Sequence, residues 1–160
     1  MIQTEKRMKR MTLRELIAET PYVLETRGDV ETEILEITAD SKNKTTAGLF
    51  FCIVGARFDA HDYAFEAVEN GCAALIVERF LELNVPQVRV SNGRAAMSRI
   101  AMAFYGYPAR NMRMVGVTGT KGKTTTTYLL KSIMEKAGLK CGLIGSAGSM
   151  MGDRHLDGKL

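Results

Sequence analysis

MRMVGVTGTKGKTTTTYLLKSIMEKAG, residues 112–138, is an apolar run followed by a glycine- and threonine-rich segment and then an amphipathic pattern. The spacing predicts a strand over 112–117, a loop, and a helix over 123–137. A strand that enters a helix through such a loop leaves backbone N–H groups unpaired at the positive end of the helix dipole. Because Gly119 and Gly122 lack side chains, a polyphosphate can approach this backbone closely. We therefore predict a phosphate-binding loop.

The loop departs from the regular G-x-x-x-x-G-K-[ST] pattern, whose first glycine would fall at Val117 where the nearest glycine is Gly116. The remaining chemistry is present, since Lys123 can reach the β- and γ-phosphates and the hydroxyl of Thr124 or Thr125 can bind Mg²⁺. The alternative is a glycine-rich connection that carries a surface lysine. We favour the nucleotide site because the Gly-Lys-Thr-Thr core lies between a predicted strand and a predicted helix.

The composition is that of a globular protein of 160 residues, with 46% hydrophobic and 25% charged residues. No apolar run approaches the roughly 20 residues that span a bilayer, and no signal peptide is visible, so we expect a cytoplasmic protein without a membrane partner. Four basic residues and Glu5 within the first ten positions account for +3 of the net charge of +4. The nearly neutral remainder argues against a nucleic-acid partner.

The cysteines and histidines do not form a metal-binding pattern. Cys52, Cys72 and Cys141 are widely separated, without a C-x-x-C pair, and are expected to be thiols in a reducing compartment. His61 and His155 are the only histidines, and their spacing does not complete a usual zinc ligand set. We predict no zinc site.

The rest of the chain alternates predicted helices and strands. Thr12-Leu13-Arg14-Glu15 matches a capping box, and Asn92 is a predicted cap of a second helix. Buried strands are predicted over 34–39, 49–54, 73–77 and 87–90, with a helix around 63–70 between two of them. This alternation predicts an α/β fold with a mainly parallel sheet.

We expect four segments: a disordered basic leader over 1–11, a small α/β domain over 12–107, a linker over 108–111, and the first elements of a P-loop ATPase domain over 112–160. Whether the natural start is Met1 or Met11 stays open. Two or three elements are too few to bury a P-loop strand on both faces, so the sequence is expected to be the N-terminal piece of a longer enzyme.

The loop sequence VTGTKGKTTT, residues 117–126, resembles the P-loop of the Mur ligases, the ATP-dependent amino-acid ligases of peptidoglycan synthesis. Residues 103–108, AFYGYP, resemble the junction between the first two domains of that family. The resemblance covers residues 12–150.

Three motifs of the first domain extend the resemblance. Residues 38–42, TADSK, resemble the family's Asp-Ser-Arg turn, with Lys42 in place of the arginine. Residues 48–55, GLFFCIVG, resemble the strand that follows it. Residues 59–63, DAHDY, resemble an Asp-Gly-His-Asp-Phe loop, with Ala60 in place of the glycine. The resemblance is strongest to the members that add the third peptide residue.

The resemblance implies two sites. Ser41 could donate to a diphosphate oxygen, Arg57 or Lys42 could neutralise charge, and Phe58 or Tyr63 could lie against uracil. His61 either contacts the substrate or serves as a hydrogen-bonding residue of the loop. The implied uridine-diphosphate site comprises Ala39, Ser41, Lys42, Gly55, Arg57, Phe58 and His61. The implied ATP site comprises Thr118, Gly119, Thr120, Lys121, Gly122, Lys123, Thr124 and Thr125, with Lys123 as the catalytic residue and Thr124 and Thr125 as metal ligands.

The implied reaction uses ATP and Mg²⁺ to form an acyl phosphate on the D-glutamyl carboxylate of UDP-N-acetylmuramoyl-L-alanyl-D-glutamate. The amine of the added amino acid then attacks, with meso-diaminopimelate favoured over L-lysine, and ADP and phosphate are released. We expect a monomer, and we expect no ligase turnover from the 160-residue chain alone. The alternatives are a non-catalytic UDP-sugar or nucleotide-binding module, and another relative such as the enzyme of the next pathway step or a folate or cyanophycin ligase.

Overall fold

The structure of the protein is a computed structural model, described for residues 10–156. Residues 1–9 of the predicted leader, and 157–160, lie outside the described residues. The chain divides into two compact units, with the boundary between Asn111 and Met112. We call them unit 1 and unit 2.

Unit 1 contains seven strands and three α-helices in its described part. In chain order these are β1 Met11–Thr12, α1 Leu13–Ile17, β2 Val23–Arg27, β3 Glu33–Ile34, β4 Glu36–Thr38, β5 Gly48–Phe51, a 3₁₀ turn Ala60–Tyr63, α2 Ala64–Glu69, β6 Cys72–Val77, β7 Gln87–Val90, α3 Gly93–Phe104 and a 3₁₀ turn Pro108–Asn111.

A five-stranded sheet in the order β2-β7-β6-β5-β4 forms the centre of unit 1. The three pairings among β4, β5, β6 and β7 are parallel, and β2 joins β7 antiparallel as an edge strand. The prediction of a mainly parallel sheet is therefore confirmed for this unit. β2 was not predicted because four of its five residues are exposed, which leaves no apolar alternation in the sequence.

Strand β5 shows why the sheet is buried on both faces. Leu49 and Phe51 lie in one apolar cluster with residues of α1 and α3. Phe50 and Cys52, which directly follows the strand, lie in a second cluster with residues of α2. Since successive side chains of a strand point to opposite faces, a continuous apolar run can fill both clusters.

Helix starts in unit 1 follow the predicted caps. The Thr12 hydroxyl accepts the N–H of Glu15 at 3.2 Å, and the Glu15 carboxylate accepts the N–H of Thr12 at 2.9 Å. This reciprocal pair confirms the capping box at α1. The Asn92 side chain likewise accepts the N–H of Ala95 at 3.0 Å at the start of α3.

Unit 2 contains α4 Lys123–Lys136, β8 Gly142–Gly145, β9 Gly148–Met151 and β10 Arg154–Leu156 in its described part. The three strands pair antiparallel in the order β10-β9-β8. The helix confirms the prediction within one residue, and β8 overlaps the further strand that the apolar residues around 141–144 predict. The hairpins to β9 and β10 were not predicted, because that segment is rich in glycine, serine and methionine.

The predicted strand over 112–117 is wrong for this structure. These residues form no strand, and the side chains of Met114 and Val115 are 72% and 60% exposed. An apolar segment becomes a strand only when neighbouring strands accept its backbone hydrogen bonds. No described residue pairs with this segment, so a parallel P-loop sheet is not confirmed in unit 2.

Candidate functional site

Loops of unit 1 converge at the carboxyl edge of its parallel strands. The segment 39–42 follows β4, 55–58 follows β5, and Glu78 and Arg79 follow β6. Ligands of open α/β sheets bind in the crevice outside the carboxyl ends of the strands. The residues predicted for the uridine-diphosphate site therefore lie where this fold presents ligand-binding loops.

The turn after β4 is held by its own aspartate. The Asp40 carboxylate accepts the N–H of Lys42 at 3.0 Å, and the Thr38 hydroxyl accepts the N–H of Asp40 at 3.1 Å. Ala39 and Lys42 are exposed. The turn thus presents the Lys42 ammonium to solvent from a fixed backbone.

Ser41 is buried and its polar groups already have partners. The hydroxyl donates to a carboxylate oxygen of Glu66 on α2 at 2.5 Å, and the backbone carbonyl accepts the Asn70 amide at 2.9 Å. In this arrangement the Ser41 hydroxyl secures the loop to α2. Its lone pairs, rather than its proton, face any further partner.

The loop after β5 closes as a tight turn over residues 54–59, which we call the 54–59 turn. Val54 and Asp59 form an antiparallel bridge, and the Gly55 N–H donates to the Phe58 carbonyl at 2.9 Å. A Cβ atom at Gly55 would lie 2.9 Å from that same carbonyl oxygen, so the turn needs glycine there. At the tip, Arg57 is exposed and the Phe58 ring is 68% exposed. A cation and an aromatic face therefore extend together from the carboxyl edge.

His61 is completely buried, with its side chain 0% exposed. Its Nδ1 lies 2.5 Å from the Asp59 carboxylate, and its Nε2 accepts the backbone N–H of Glu78 at 2.9 Å. Both ring nitrogens are thus engaged within the fold. Of the two alternatives for His61, this geometry favours the hydrogen-bonding residue of the loop over the ligand contact.

Asp59 stays ionised in unit 1. Partial burial opposes its charge, but hydrogen bonds from the His61 N–H, the Arg79 guanidinium and the His61 ring outweigh that effect and lower the Asp59 pKa. A depressed carboxyl pKa stabilises the folded state above the unfolded pKa of about 3.9, and this contribution is lost as the pH falls through the lower folded value.

Glu78 is a residue of this edge that sequence reasoning missed. Its carboxylate accepts the N–H of Gly93 at 2.8 Å, at the first residue of α3. The start of α3, which could otherwise bind an anionic ligand, is therefore occupied by the carboxylate of Glu78. The available signal was its position directly after β6 at the carboxyl edge.

The loop of unit 2 has the local geometry of an anion site. Gly122 precedes α4 in the left-handed region, with φ of 78°, and no side chain among the described residues caps this helix start. The Lys123 ammonium folds over the loop and donates to the Gly119 carbonyl at 2.6 Å. Each predicted ATP-site residue is exposed: Thr118, Gly119, Thr120, Lys121, Gly122, Lys123, Thr124 and Thr125.

The two predicted magnesium ligands lie at the first turn of α4. The Thr124 hydroxyl is 3.5 Å from the Ser146 hydroxyl, and Thr125 is exposed. Hydroxyl oxygens are suitable Mg²⁺ ligands next to a bound phosphate. Among residues 10–156, no cluster of three or more His, Cys, Asp or Glu side chains is arranged to hold a metal ion. Nor does this part of the chain contain a helix long and apolar enough to cross a bilayer.

Comparison with known proteins first gives the class of protein that the chain resembles. Residues 117–157 match the family described as the Mur ligase middle domain. The crystal structure of MurF from Acinetobacter baumannii matches the fold with a TM-score of 0.68 at 28% identity, over 88% of this chain and 31% of that one. The chain thus resembles Mur ligases in both sequence and fold.

A particular relative is closer in sequence. The chain is 44% identical over 144 residues to UDP-N-acetylmuramoyl-L-alanyl-D-glutamate--2,6-diaminopimelate ligase of Geobacillus thermodenitrificans, an alignment that covers 90% of this chain. The chain spans about 29% of the length of that relative. The MurF ligase of Thermotoga maritima, solved in complex with ADP, matches 63% of this chain and 23% of its own with a TM-score of 0.50 at 29% identity.

Proposed function

We propose that this chain carries the uridine-diphosphate-substrate site and the nucleotide loop of a ligase that adds an amino acid to UDP-N-acetylmuramoyl-L-alanyl-D-glutamate. The observation that carries the proposal is the start of α4 after Gly122, which no side chain among the described residues caps, within a segment that matches the Mur ligase middle domain. The name of the Geobacillus relative supports 2,6-diaminopimelate as the added amino acid.

The nucleotide is proposed to bind at the loop of unit 2. The amides at the start of a 14-residue helix bind phosphate oxygens because they lack intrahelical partners and lie at the positive end of the dipole. Lys123 exchanges the Gly119 carbonyl for phosphate oxygens, and Thr124 and Thr125 would hold Mg²⁺. That ion, when bound, would neutralise phosphate charge. The ADP complex of the Thermotoga relative supports a nucleotide at this kind of fold.

The uridine diphosphate is proposed to bind at the carboxyl edge of unit 1. Lys42 and Arg57 supply positive charge from two neighbouring loops, and the exposed ring of Phe58 supplies a stacking surface. Ala39, Ser41 and Gly55 contribute the backbone of these loops. In the proposed reaction ATP phosphorylates the D-glutamyl carboxylate, which gives an acyl phosphate and ADP. The amine of the added amino acid then displaces the phosphate and forms the amide bond.

Replacing Lys123 tests the nucleotide site. Lys123→Ala should weaken ATP binding at least about tenfold, because a charged hydrogen bond to phosphate is lost. Binding of UDP-N-acetylmuramoyl-L-alanyl-D-glutamate should stay within about twofold, since that ligand is assigned to unit 1. Isothermal titration with each ligand measures both.

Lys140→Ala is the matched control, because Lys140 is an exposed lysine of unit 2 beyond the far end of α4. Unchanged ATP affinity in Lys123→Ala would refute the nucleotide loop. An equal loss of both ligands would refute the division into two sites.

A binding module without catalysis is the second candidate, and it is favoured by the exposed loops at the carboxyl edge of unit 1, which offer Lys42, Arg57 and Phe58 to a ligand. Under this alternative the 160-residue chain binds the UDP-linked substrate and ATP but releases no phosphate. Because this chain alone is expected to give no turnover under either candidate, the test is a coupled phosphate assay, with diaminopimelate present, on a chimera in which this chain replaces the matching segment of the Geobacillus ligase. Turnover by the chimera supports the ligase site, and its absence, with both ligands still bound, supports the binding module.

A further inference from the structure

We infer that His61 is a positioning residue of the proposed uridine-diphosphate site, which joins the 54–59 turn to the end of β6 and so holds Arg57 and Phe58 in place without contacting the ligand. This inference rests on the proposed function for the identity of the ligand. The connection itself rests on contacts within unit 1.

The hydrogen bonds fix the tautomer of the ring. A backbone N–H can only donate, so the Nε2 atom that faces the Glu78 amide at 2.9 Å must be unprotonated. The proton of the neutral ring then lies on Nδ1 and is donated to the Asp59 carboxylate, 2.5 Å away. A ligand contact would require one of these bonds to break inside a fully buried site.

The bond to Glu78 connects segments that are distant in the sequence. Asp59 closes the 54–59 turn through its bridge to Val54. Its carboxylate accepts hydrogen bonds from the backbone N–H and from the Nδ1–H of His61. Glu78 is in turn tied to the start of α3 through Gly93. His61 is therefore the link between the turn and a strand end that α3 already holds.

Arg79 adds a second, more exposed link between the same two segments. Its guanidinium pairs with the Asp59 carboxylate and lies 3.7 Å from that of Asp62. Since exposed ion pairs contribute little, the buried ring carries most of the connection. A turn fixed in advance loses less conformational freedom when Arg57 and Phe58 meet a ligand, which strengthens binding.

Two amide variants, each of which keeps one of the two hydrogen bonds of the ring, separate positioning from simple packing. His61→Gln places an amide oxygen near the former Nε2 and keeps an acceptor for the Glu78 N–H, whereas His61→Asn keeps a donor to Asp59 but is too short to reach Glu78. Titration with UDP-N-acetylmuramoyl-L-alanyl-D-glutamate should give His61→Gln within about threefold of wild type and His61→Asn at least about tenfold weaker. Asp62→Asn is the matched control on the same 3₁₀ turn, and it should bind as wild type.

Trypsin measures the turn without any ligand, because Arg57 lies at its tip. Cleavage after Arg57 should be slow in wild type and in His61→Gln, and at least about tenfold faster in His61→Asn. Circular dichroism of each variant confirms that unit 1 is folded. Equal cleavage and equal affinity in the two variants would overturn the inference, because the Glu78 bond would then have no role.

Nitrogen-15 spectra of the imidazole rings provide a test in wild-type protein. The chain has only two histidines, and the exposed His155 is an internal reference. We expect His61 as the Nδ1–H tautomer at neutral pH, with ring shifts that stay constant when the probe is added while the Arg57 amide shifts. Protonated Nε2, or ring shifts that follow the probe, would overturn the inference.

Failure of the proposed function gives a different result. In that case the probe binds no variant and no amide shifts, yet the tautomer and the trypsin rates still decide whether His61 connects the turn to β6. A wild-type tautomer other than Nδ1–H, or an unchanged cleavage rate in His61→Asn, rejects the connection on its own.

Discussion

Units 1 and 2 contain similar sequence patterns, but only unit 1 buries them on both sides of a sheet. In unit 1, two apolar clusters cover the two faces of five strands. In the described part of unit 2, the buried side chains are Leu143 and Lys131. The segment 112–116 and the α4 residues Leu129 and Ile133 are exposed there. The comparison shows that an apolar sequence pattern alone does not determine a buried element. The segment becomes a buried strand or helix only where other strands or helices pack against it.

The thiols should show the largest difference between the units. Burial, together with the nearby Asp59 charge, raises the pKa of Cys52 to about 12 against the opposing charge of Arg79, and burial also raises the pKa of Cys72. Such a rise in the pKa of Cys52, from 9.0 to about 12, lowers its thiolate fraction at neutral pH by about a thousandfold. We expect iodoacetamide to label the half-buried Cys141 of unit 2 first, as followed by mass spectrometry. Labelling of Cys52 as rapidly as Cys141 would contradict the burial described for unit 1, and complete labelling of all three in denaturant is the control.

Truncating one apolar side chain in each unit compares how much each side chain contributes to the free energy of unfolding. Leu75→Ala removes a completely buried side chain from the β6 face and should lower the free energy of unfolding by about 3 kcal/mol. Ile133→Ala removes a side chain that is 64% exposed and should change it by less than about 0.5 kcal/mol. Urea unfolding followed by circular dichroism measures both. Equal losses would mean that unit 2 is packed as tightly as unit 1.

Two glycines with positive φ, Gly71 in unit 1 and Gly122 in unit 2, show how differently the loops of the two units are packed. Gly71 has φ of 97°, and an added Cβ would lie 2.0 Å from the Thr45 carbonyl oxygen, so Gly71→Ala should cost more than about 2 kcal/mol. Gly122 has φ of 78° with no atom within 4 Å of an added Cβ, so Gly122→Ala should cost only the left-handed strain of about 1 kcal/mol. The same unfolding experiment measures both changes. A larger loss at Gly122 would show that its loop is crowded rather than open.

The smallest expected effect concerns the helix starts. Thr12→Ala removes one half of the capping box of α1 and should cost about 1 kcal/mol. Thr127→Ala in unit 2 is the control, because that hydroxyl donates to the Thr124 carbonyl within α4 and caps no helix start, so its loss should change stability by less than about 0.5 kcal/mol. Thermal unfolding at matched pH resolves the difference. A neutral Thr12→Ala would mean that α1 is fixed by packing alone.

The sequence sufficed for elements whose signals are local. Buried strands such as β5 and caps such as Thr12 depend on residues within a few positions, so their patterns predicted them. The exposed edge strand β2 has no such pattern, and the segment 112–117 had the pattern without partners. Local reasoning therefore failed where pairing with distant strands decides the outcome.

The candidate sites divide in the same way. The local geometry at Gly122, a left-handed glycine ahead of a helix, could be expected from contiguous residues, whereas the role of this loop as a nucleotide site stays a prediction. The surroundings of His61 were not, since the Glu78 amide is 17 residues away and offers no side-chain signal. The bond from Ser41 to Glu66 spans 25 residues and was equally hidden. Which atoms are already occupied is a property of the folded chain.

The double-sided packing of β5 limits how this chain can change in length. Inserting or deleting one residue within Gly48–Phe51 would send every following side chain of the strand to the opposite cluster and reverse two sets of contacts at once. We therefore expect insertions and deletions to be tolerated in the connecting loops but not within β5. The loops at the carboxyl edge can change in length while the strand that supports them does not.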